Sequence, residues 1–217
     1  MNRNAKALML VLTVLLVLSP IPASPAAAAE FHSSSAATTI TATADGTAKN
    51  SHHVIDVGGA SLTCGTVSFS SSISSTTTSE IKAVPTYSNC TYVGQTAIVN
   101  FHGCQLNFTD NGTIHIETNP NSGTTCAANP ATISIPSPPC TITTFPQTIS
   151  GAASYTNIKP GSVEEITLSV KATGTKYEAT GSGCPETGSF SNGEYTTGNT
   201  ILTGSSGGSM TNLRWTP

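Results

Sequence analysis

The fold is decided by residues 85–117, PTYSNCTYVGQTAIVNFHGCQLNFTDNGTIHIE. Within this stretch Ala97, Val99 and Phe101 occupy every second position, which is the period of a strand that lies on a core. The alternation then resumes one residue out of phase, so a bulge or a break between strands is predicted at residues 103–104. These patterns predict antiparallel strands with an apolar inner side.

The sequence Asp-Asn-Gly at residues 110–112 predicts a turn whose length fixes the register of the flanking strands. A two-residue loop would set Phe108 opposite His115 and mix apolar and polar residues on each face. A three-residue loop sets Phe108 opposite Ile114, keeps one face apolar and puts the glycine at the left-handed position. We therefore predict the three-residue loop. The residues that would then face out are Asn107, His115 and Glu117.

A second hairpin is predicted around the two-residue turn Gly58-Gly59, because this register again puts the apolar members of each pair on one face. The predicted pairs are Val57 with Ala60, Ile55 with Leu62, and His53 with Cys64. The phase then slips at Gly65, which predicts a bulge. The Ser/Thr run at residues 70–79 is predicted to be an exposed edge or loop.

Length and composition favour one all-β domain. A chain of 217 residues can form a single core, and residues 30–217 are predicted to be that domain. Only 9% of the residues are charged and 6% are aromatic, a balance that suits strands and turns. We predict an antiparallel β-sandwich of roughly ten to twelve short strands. The single tryptophan, Trp215, is expected to plug its edge.

Residues 1–29 have the features of a secretory signal peptide. Arg3 and Lys6 precede an apolar run at residues 7–18 that is shorter than the ~20 residues of a membrane-spanning helix. We expect cleavage after Ala29 and a secreted protein, extracellular or at the cell surface, with no membrane insertion. Loss of the two basic residues changes the net charge from -3 to -5, which disfavours a nucleic acid partner.

Six cysteines in an exported chain, with no C-x-x-C spacing, predict three disulfides rather than a zinc or redox site. A weak internal repeat, with a Phe five positions after Cys64 and after Cys140, suggests two related halves. The pairing that this repeat favours is Cys64–Cys90, Cys104–Cys126 and Cys140–Cys184. A rival scheme uses the equal spacing of Cys90–Cys104 and Cys126–Cys140 and adds Cys64–Cys184. Both schemes remain open on the sequence.

The chain resembles a group of uncharacterised secreted proteins that are common in actinobacterial genomes. The likeness covers nearly the whole mature chain. It rests on FHS at 31–33, LTC at 62–64, PTYSNC at 85–90, NFHGCQLNF at 100–108, SYTN at 154–157 and KATGTKYEATG at 171–181. The resemblance implies export and a disulfide-bonded β fold, and it carries no activity with it.

No catalytic motif fits its context. Residues 204–208, GSSGG, match G-x-S-x-G, but a nucleophile elbow is followed by an acid and then a histidine, and no histidine follows His115. Glycoside hydrolysis requires two carboxylates that face each other across a cleft. The candidate acids, which we expect to be solvated on outward phases or in turns, are Glu117, Glu164, Glu165, Glu178, Glu194, Asp56 and Asp110.

The histidines do not form the pattern of a metal site. His52 and His53 are adjacent and would point to opposite faces of a strand, whereas His102 and His115 could share an outer face with Glu117. Zinc requires three or four converging ligands, and the spacing does not provide them. The chain also has no calcium-binding loop motif. We predict no metal and no cofactor.

These observations favour a non-enzymatic secreted β-sandwich that binds a glycan or a surface protein through polar Ser/Thr/Asn faces. One alternative is a secreted hydrolase that acts on polysaccharide, which would need paired carboxylates in one cleft. The other is a self-assembling structural component of the envelope or matrix, which a long unprotected edge strand would favour.

Overall fold

The structure is a computed structural model that describes residues 28–44 and 53–217. These residues form nineteen β-strands and no helix. The strands are β1 (Glu30–Ser33), β2 (Thr38–Ala44), β3 (His53–Val57), β4 (Ala60–Ile73), β5 (Thr77–Thr78), β6 (Glu80–Ala83), β7 (Thr86–Tyr92), β8 (Gln95–Asn100), β9 (Cys104–Thr109), β10 (Ile114–Thr118), β11 (Ala131–Pro136), β12 (Pro139–Thr144), β13 (Gln147–Ile149), β14 (Ala153–Ile158), β15 (Glu165–Thr180), β16 (Gly188–Thr196), β17 (Thr200–Ser206), β18 (Ser209–Thr211) and β19 (Leu213–Thr216). The predicted all-β class is confirmed. The strands outnumber the predicted ten to twelve because several contain only two to four residues.

The strands pair antiparallel in three sheets. The largest sheet has twelve strands, and part of it closes on itself. The strands of this closed ring follow the order β4, β3, β16, β15, β12, β11, β8 and β7, and β7 pairs back onto β4. β2 and β17 form a second connection between β4 and β15. The other two sheets have the orders β13-β10-β9-β6 and β19-β1-β5.

Two apolar clusters form the core. The larger cluster joins residues of all three sheets, including Phe31, Phe69 and Phe108. The smaller cluster lies inside the ring and includes Leu62 and Tyr177. The long strands β4 and β15 contribute residues to both clusters. β4 carries Leu62 of the smaller cluster and Phe69 of the larger one, and β15 runs from the larger cluster to Tyr177 of the smaller one.

Both hairpins have the register that the sequence predicts. Phe108 pairs with Ile114 across a three-residue loop in which Gly112 has a φ of 80°. In the other hairpin His53 pairs with Cys64 around the Gly58-Gly59 turn. The predicted break at residues 103–104 is also found, since β8 ends at Asn100 and β9 begins at Cys104. In both hairpins the apolar members of the pairs therefore share one face.

The phase slip at Gly65 exists, but the prediction of a bulge there is wrong. β4 pairs with β7 in one unbroken register through this point. Gly65 lies against Asn89, which has a φ of 53°. Both strands change phase at the same rung, so the next inward residue after Cys64 is Val67 without any extra residue.

The prediction that residues 70–79 form an exposed edge or loop is wrong for their first part. Residues 70–73 continue β4, which has β2 as a neighbour along this segment. Phe69 and Ile73 are buried at the two ends of this segment, and the backbone pairs with β2. Low sequence complexity here therefore reflects one exposed face of a paired strand.

The disulfides are Cys64–Cys90, Cys104–Cys126 and Cys140–Cys184. This is the pairing that the internal repeat favours, and the rival scheme is wrong. Cys64, Cys90 and Cys140 are buried in the smaller cluster, whereas Cys104 and Cys126 are buried in the larger one. Each apolar cluster thus contains at least one covalent cross-link.

Trp215 packs where it was expected. Its ring lies 5.7 Å from that of Tyr155 at the margin of the larger cluster. Its Nε1 donates a hydrogen bond of 3.0 Å to the backbone oxygen of Asp110.

The predicted signal peptide, except for its last two residues, and His52 lie outside the described residues.

Candidate functional site

One side of the twelve-stranded sheet presents hydroxyl groups where β17, β2 and β4 lie side by side. The outward residues at this place, which we call the hydroxyl face, are Thr39, Thr41, Thr43, Ser68, Ser70, Ser72, Thr203 and Ser205. The inward positions of the same strands include the buried residues Ile40, Phe69 and Leu202. The alternation of Ser or Thr with core residues therefore collects the hydroxyls on one side.

The hydroxyl face is arranged in rows that cross the three strands. Thr41 lies between Thr203 on β17 and Ser70 on β4. Thr41 Oγ1 and Thr203 Oγ1 are 2.8 Å apart, a hydrogen bond along the row. The rows on either side repeat the pattern, except that Ile201 takes one position. Strand geometry spaces the positions about 4.8 Å apart within a row, and the rows about 6.7 Å apart.

The three rows have nine outward positions, namely the eight residues of the hydroxyl face and Ile201, and none of the nine side chains is charged. A soluble globular domain is ordinarily about one quarter Lys, Arg, Glu and Asp. A low overall charge content of 9% contributes to this difference. The hydroxyl face is therefore suited to a neutral ligand, because a charged one would find no counter-charge on it.

The chemistry of the hydroxyl face is hydrogen bonding in both directions. Each Ser or Thr hydroxyl donates one hydrogen bond and accepts up to two. These short side chains also lose less rotamer freedom on binding than Lys, Arg or Gln would. An ordered set of such groups matches a partner that itself presents many hydroxyls.

A second polar cluster lies on the outer side of the four-stranded sheet. Asn107 Nδ2 donates hydrogen bonds to Glu80 Oε2 at 2.7 Å and to Glu117 Oε2 at 3.5 Å. Lys82 Nζ lies 2.7 Å from Glu80 Oε1 and 3.8 Å from Glu117 Oε1. The two carboxylates therefore share one amide donor and one ammonium group.

Asn107 lies on the outer side of the sheet as predicted, but it is shielded from solvent, since the residue is only 4% exposed. Strand β9 lies between β6 and β10, and the longer side chains of Glu80 and Glu117 cover it. Glu80 was absent from the acids predicted as candidates. The signal that would have found it is the alternation Glu-Ile-Lys-Ala of residues 80–83, which is that of a strand with both charges outward.

The electrostatics of this cluster oppose a role in acid catalysis. The Lys82 ammonium, which hydrogen-bonds to Glu80, holds the pKa of that carboxyl below its usual value. The same hydrogen bond raises the pKa of Lys82. A general acid at neutral pH requires a carboxyl whose pKa is raised. The cluster is therefore a salt-bridged polar network in this structure.

Two other candidate acids are brought together on a different surface. Asp56 on β3 pairs directly with Glu194 on β16, and both side chains point outward. Asp56 also accepts a hydrogen bond from Ser61 Oγ. Glu165 differs from the prediction, since it is buried with 9% exposure. The acids that retain partial exposure without such a pairing are Glu164, Glu178 and Asp110.

The described histidines are dispersed. His115, whose Nδ1 is 3.0 Å from Thr148 Oγ1, shares the outer face of β10 with Glu117 as predicted. His102 does not, because its Nε2 is 3.0 Å from Thr132 Oγ1 in another sheet. In the part of the chain that the structure describes, no three His, Cys, Asp or Glu residues are grouped closely enough to hold a metal ion.

His53 belongs to a buried polar chain. Its Nδ1 lies 2.6 Å from the Tyr195 hydroxyl, and its Nε2 lies 3.2 Å from Thr200 Oγ1. The Tyr195 hydroxyl is in turn 3.0 Å from that of Tyr87. Burial lowers the pKa of His53 to about 4 and raises that of Tyr87 to about 12. Burial also raises the pKa of Tyr195. His53, Tyr87 and Tyr195 are therefore uncharged at neutral pH.

The G-x-S-x-G match is a hairpin. Residues 204–206 end β17, and after Gly207 and Gly208 the chain returns as β18. Gly207 and Gly208 have φ values of 58° and 82°, as a tight strand-to-strand turn requires. The arrangement differs from a nucleophile elbow, which leads from a strand into a helix.

Comparison with known proteins gives no relative. No family model, no curated protein and no solved structure matches the chain. Within residues 28–44 and 53–217, no helix has the length and apolar character needed to cross a membrane. The three disulfides indicate that the chain folds in an oxidising, extracellular type of environment.

Proposed function

We propose that the protein is a secreted, non-enzymatic binding module whose hydroxyl face holds a neutral glycan. The observation that carries the proposal is the charge-free array of eight Ser and Thr residues in register across β17, β2 and β4. A polysaccharide presents repeated hydroxyls that both donate and accept hydrogen bonds, as the array does. The disulfides and the predicted signal peptide support export to the place where such polymers occur.

The test measures retention of the mature protein, residues 30–217 with intact disulfides, on insoluble cell-wall and environmental polysaccharides. The informative variant replaces Thr41 and its cross-strand neighbour Ser70 with lysine. Two long charged side chains would hold the polymer away from the face. We expect the bound fraction on the preferred polysaccharide to fall at least tenfold.

The matched control replaces Thr91 and Thr96 with lysine, because these exposed threonines are also cross-strand neighbours but lie on β7 and β8. This control adds the same charge and should retain the polysaccharide as the wild type does. Equal loss in both variants would contradict the role of the hydroxyl face. If the wild type sediments with none of the polysaccharides, the proposal that the ligand is a glycan is contradicted.

A hydrolase is the second candidate, because the structure sets Asp56 opposite Glu194. Paired carboxylates on adjacent strands have the proximity that a retaining glycosidase needs. Both side chains point outward, without the apolar surroundings in which one carboxyl acts as a general acid. Release of reducing sugar in the same assay, abolished by Glu194→Gln, would replace the binding proposal with this one.

Self-assembly through sheet edges has less support. Most edge strands among the described residues are short: β5 has two residues, β13 and β18 have three each, and β6 and β19 have four each, whereas β14, which pairs only with β15, has six. Short edge strands limit pairing with other chains. Concentration-dependent assembly of the wild type, measured by light scattering, would favour the structural role instead.

A further inference from the structure

A cavity of about 80 Å³ lies between the four-stranded sheet and the ring. From the four-stranded sheet it is lined by Leu106, Ile114 and Ile116, and from the ring by residues that include Ile133 and Ala172. Its walls are almost entirely apolar. Phe101, also in the lining, is only partly buried and stacks on the ring of Tyr87 at 6.1 Å.

One residue in the wall of the cavity carries a buried hydroxyl without a hydrogen-bond partner. Thr175 lines the cavity, and its Oγ1 is buried without a hydrogen bond. A buried hydroxyl without a partner costs about 1–3 kcal/mol, so such a group calls for an explanation. The two tyrosine hydroxyls of the lining differ from it, because Tyr87 and Tyr195 hydrogen-bond to each other.

The backbone of β15 is shaped so that Thr175 reaches the cavity. The pairing of β15 with β16 shifts register on both sides of Thr175, and Gly174 has a φ of 76°. The inward residues of β15 consequently change from Ala172 to Thr175, whereas strict alternation would turn Thr175 outward. Opposite it, a Cβ on Gly193 would lie only 3.2 Å from the Thr175 Cβ.

We propose that this cavity binds a small neutral molecule that is apolar over most of its surface and carries one hydrogen-bonding group, which Thr175 Oγ1 contacts. The apolar wall would hold the body of the molecule by the hydrophobic effect. The proposal is independent of the hydroxyl face, since the two sites share no residue.

Phenol and benzene form a matched pair of probes, because they differ only in the hydroxyl group. Methyl NMR spectra of the mature protein, titrated with each probe, report on the lining residues Ile114, Ile116 and Ile133. Ile40 lies in the larger cluster outside the lining and serves as the internal reference. We expect saturable shifts at the three lining isoleucines, with phenol binding about tenfold more tightly than benzene.

Thr175→Val keeps the volume of the side chain and removes the hydroxyl. It should lower the affinity for phenol about tenfold and leave that for benzene unchanged. Thr96→Val removes an exposed hydroxyl on β8 and should change neither affinity. Unchanged phenol binding by Thr175→Val, or no saturable shift in the wild type, would overturn the proposal.

Filling the cavity provides the second test. Ala172→Leu adds three carbons to the wall and should abolish binding of both probes. If this variant loses its dispersed methyl spectrum, Ala131→Leu fills the same cavity from β11. Wild-type binding in a folded filled variant would place the probes elsewhere and refute the cavity as their site.

Discussion

Cys64 and Cys90 face each other on one rung of the β4–β7 ladder, with their Cα atoms 3.9 Å apart. This rung is next to Gly65 and Asn89, where both strands change phase and Asn89 has a φ of 53°. The disulfide therefore connects the two strands beside their least regular backbone. It also links covalently the two strands, β4 and β7, whose pairing closes the ring.

Replacing both members of a disulfide by alanine should lower the free energy of unfolding by about 3 kcal/mol for Cys64 and Cys90, because the closed loop of 26 residues no longer restricts the unfolded chain. The loops of the other two disulfides span 22 and 44 residues, and doubling the loop length adds roughly 0.6 kcal/mol. We therefore expect the loss of stability to increase with loop length, and urea denaturation of the three double variants would measure the three losses. Equal stability with and without the disulfides would contradict it.

His53 should make the stability of the protein pH-dependent below neutrality. Its pKa is about 4 in the folded protein, because burial disfavours the charged ring, whereas the ordinary pKa of a histidine is 6.5. The unfolded chain therefore binds the proton first, and stability is lost as the pH falls from about 6.5 to about 4. The loss should be on the order of 3 kcal/mol.

His53→Gln should flatten the stability profile in this window, measured by urea denaturation at successive pH values. The control His102→Gln changes a histidine on the exposed surface and should keep the wild-type slope. A variant at His53 that retains the full slope would show that another group is responsible.

Gly112→Ala should destabilise the β9–β10 hairpin by at least about 2 kcal/mol. The residue has a φ of 80°, which costs a non-glycine residue on the order of 1 kcal/mol or more, and its new Cβ would collide with the Ala153 backbone oxygen. Gly123→Ala is the matched control, since Gly123 has a φ of 72° with open space around it. Thermal unfolding should show the smaller loss in the control, and equal losses would exclude the collision.

Asn107→Asp should destabilise the protein strongly at pH 7, because it buries a third carboxylate between Glu80 and Glu117. Burial and the two neighbours would raise the pKa of the new carboxyl above its unfolded value. The loss of stability relative to the wild type at the same pH should therefore shrink as the pH falls and the group becomes protonated. Urea denaturation at pH 7 and pH 5 tests this, with the exposed Asn121→Asp as control. A penalty that is independent of pH would contradict the mechanism.

Much of the local pairing is predictable from sequence because the period of a strand is visible in the chain. Phe108 opposite Ile114 and His53 opposite Cys64 follow from keeping one face apolar. This rule gives the face on which a residue lies but not its exposure. Strand β9 is covered on both sides, so the polar Asn107 is buried although it lies on the outer face as its phase predicts.

The candidate sites were less predictable than the strands. The hydroxyl face requires the pairing of β17 with β2, whose segments are more than 150 residues apart in the chain, and no local pattern reveals it. The position of Thr175 depends on a register shift beside Gly174, since strict alternation would place it outside. A single sequence shows where apolar and polar residues alternate and so where strands lie. These sites instead arise from long-range strand pairing and from places where the alternation breaks.

Strands β4 and β15 each pass through both apolar clusters. If either cluster were to open, these strands would have to give up backbone hydrogen bonds that also hold the other cluster in place. In the part of the chain that the structure describes, neither cluster can therefore loosen while the strands of the other stay fully paired. Proteases cleave a chain where it opens. If the protein is secreted, as we propose, this continuity would make cleavage by extracellular proteases depend on the rare event of global unfolding.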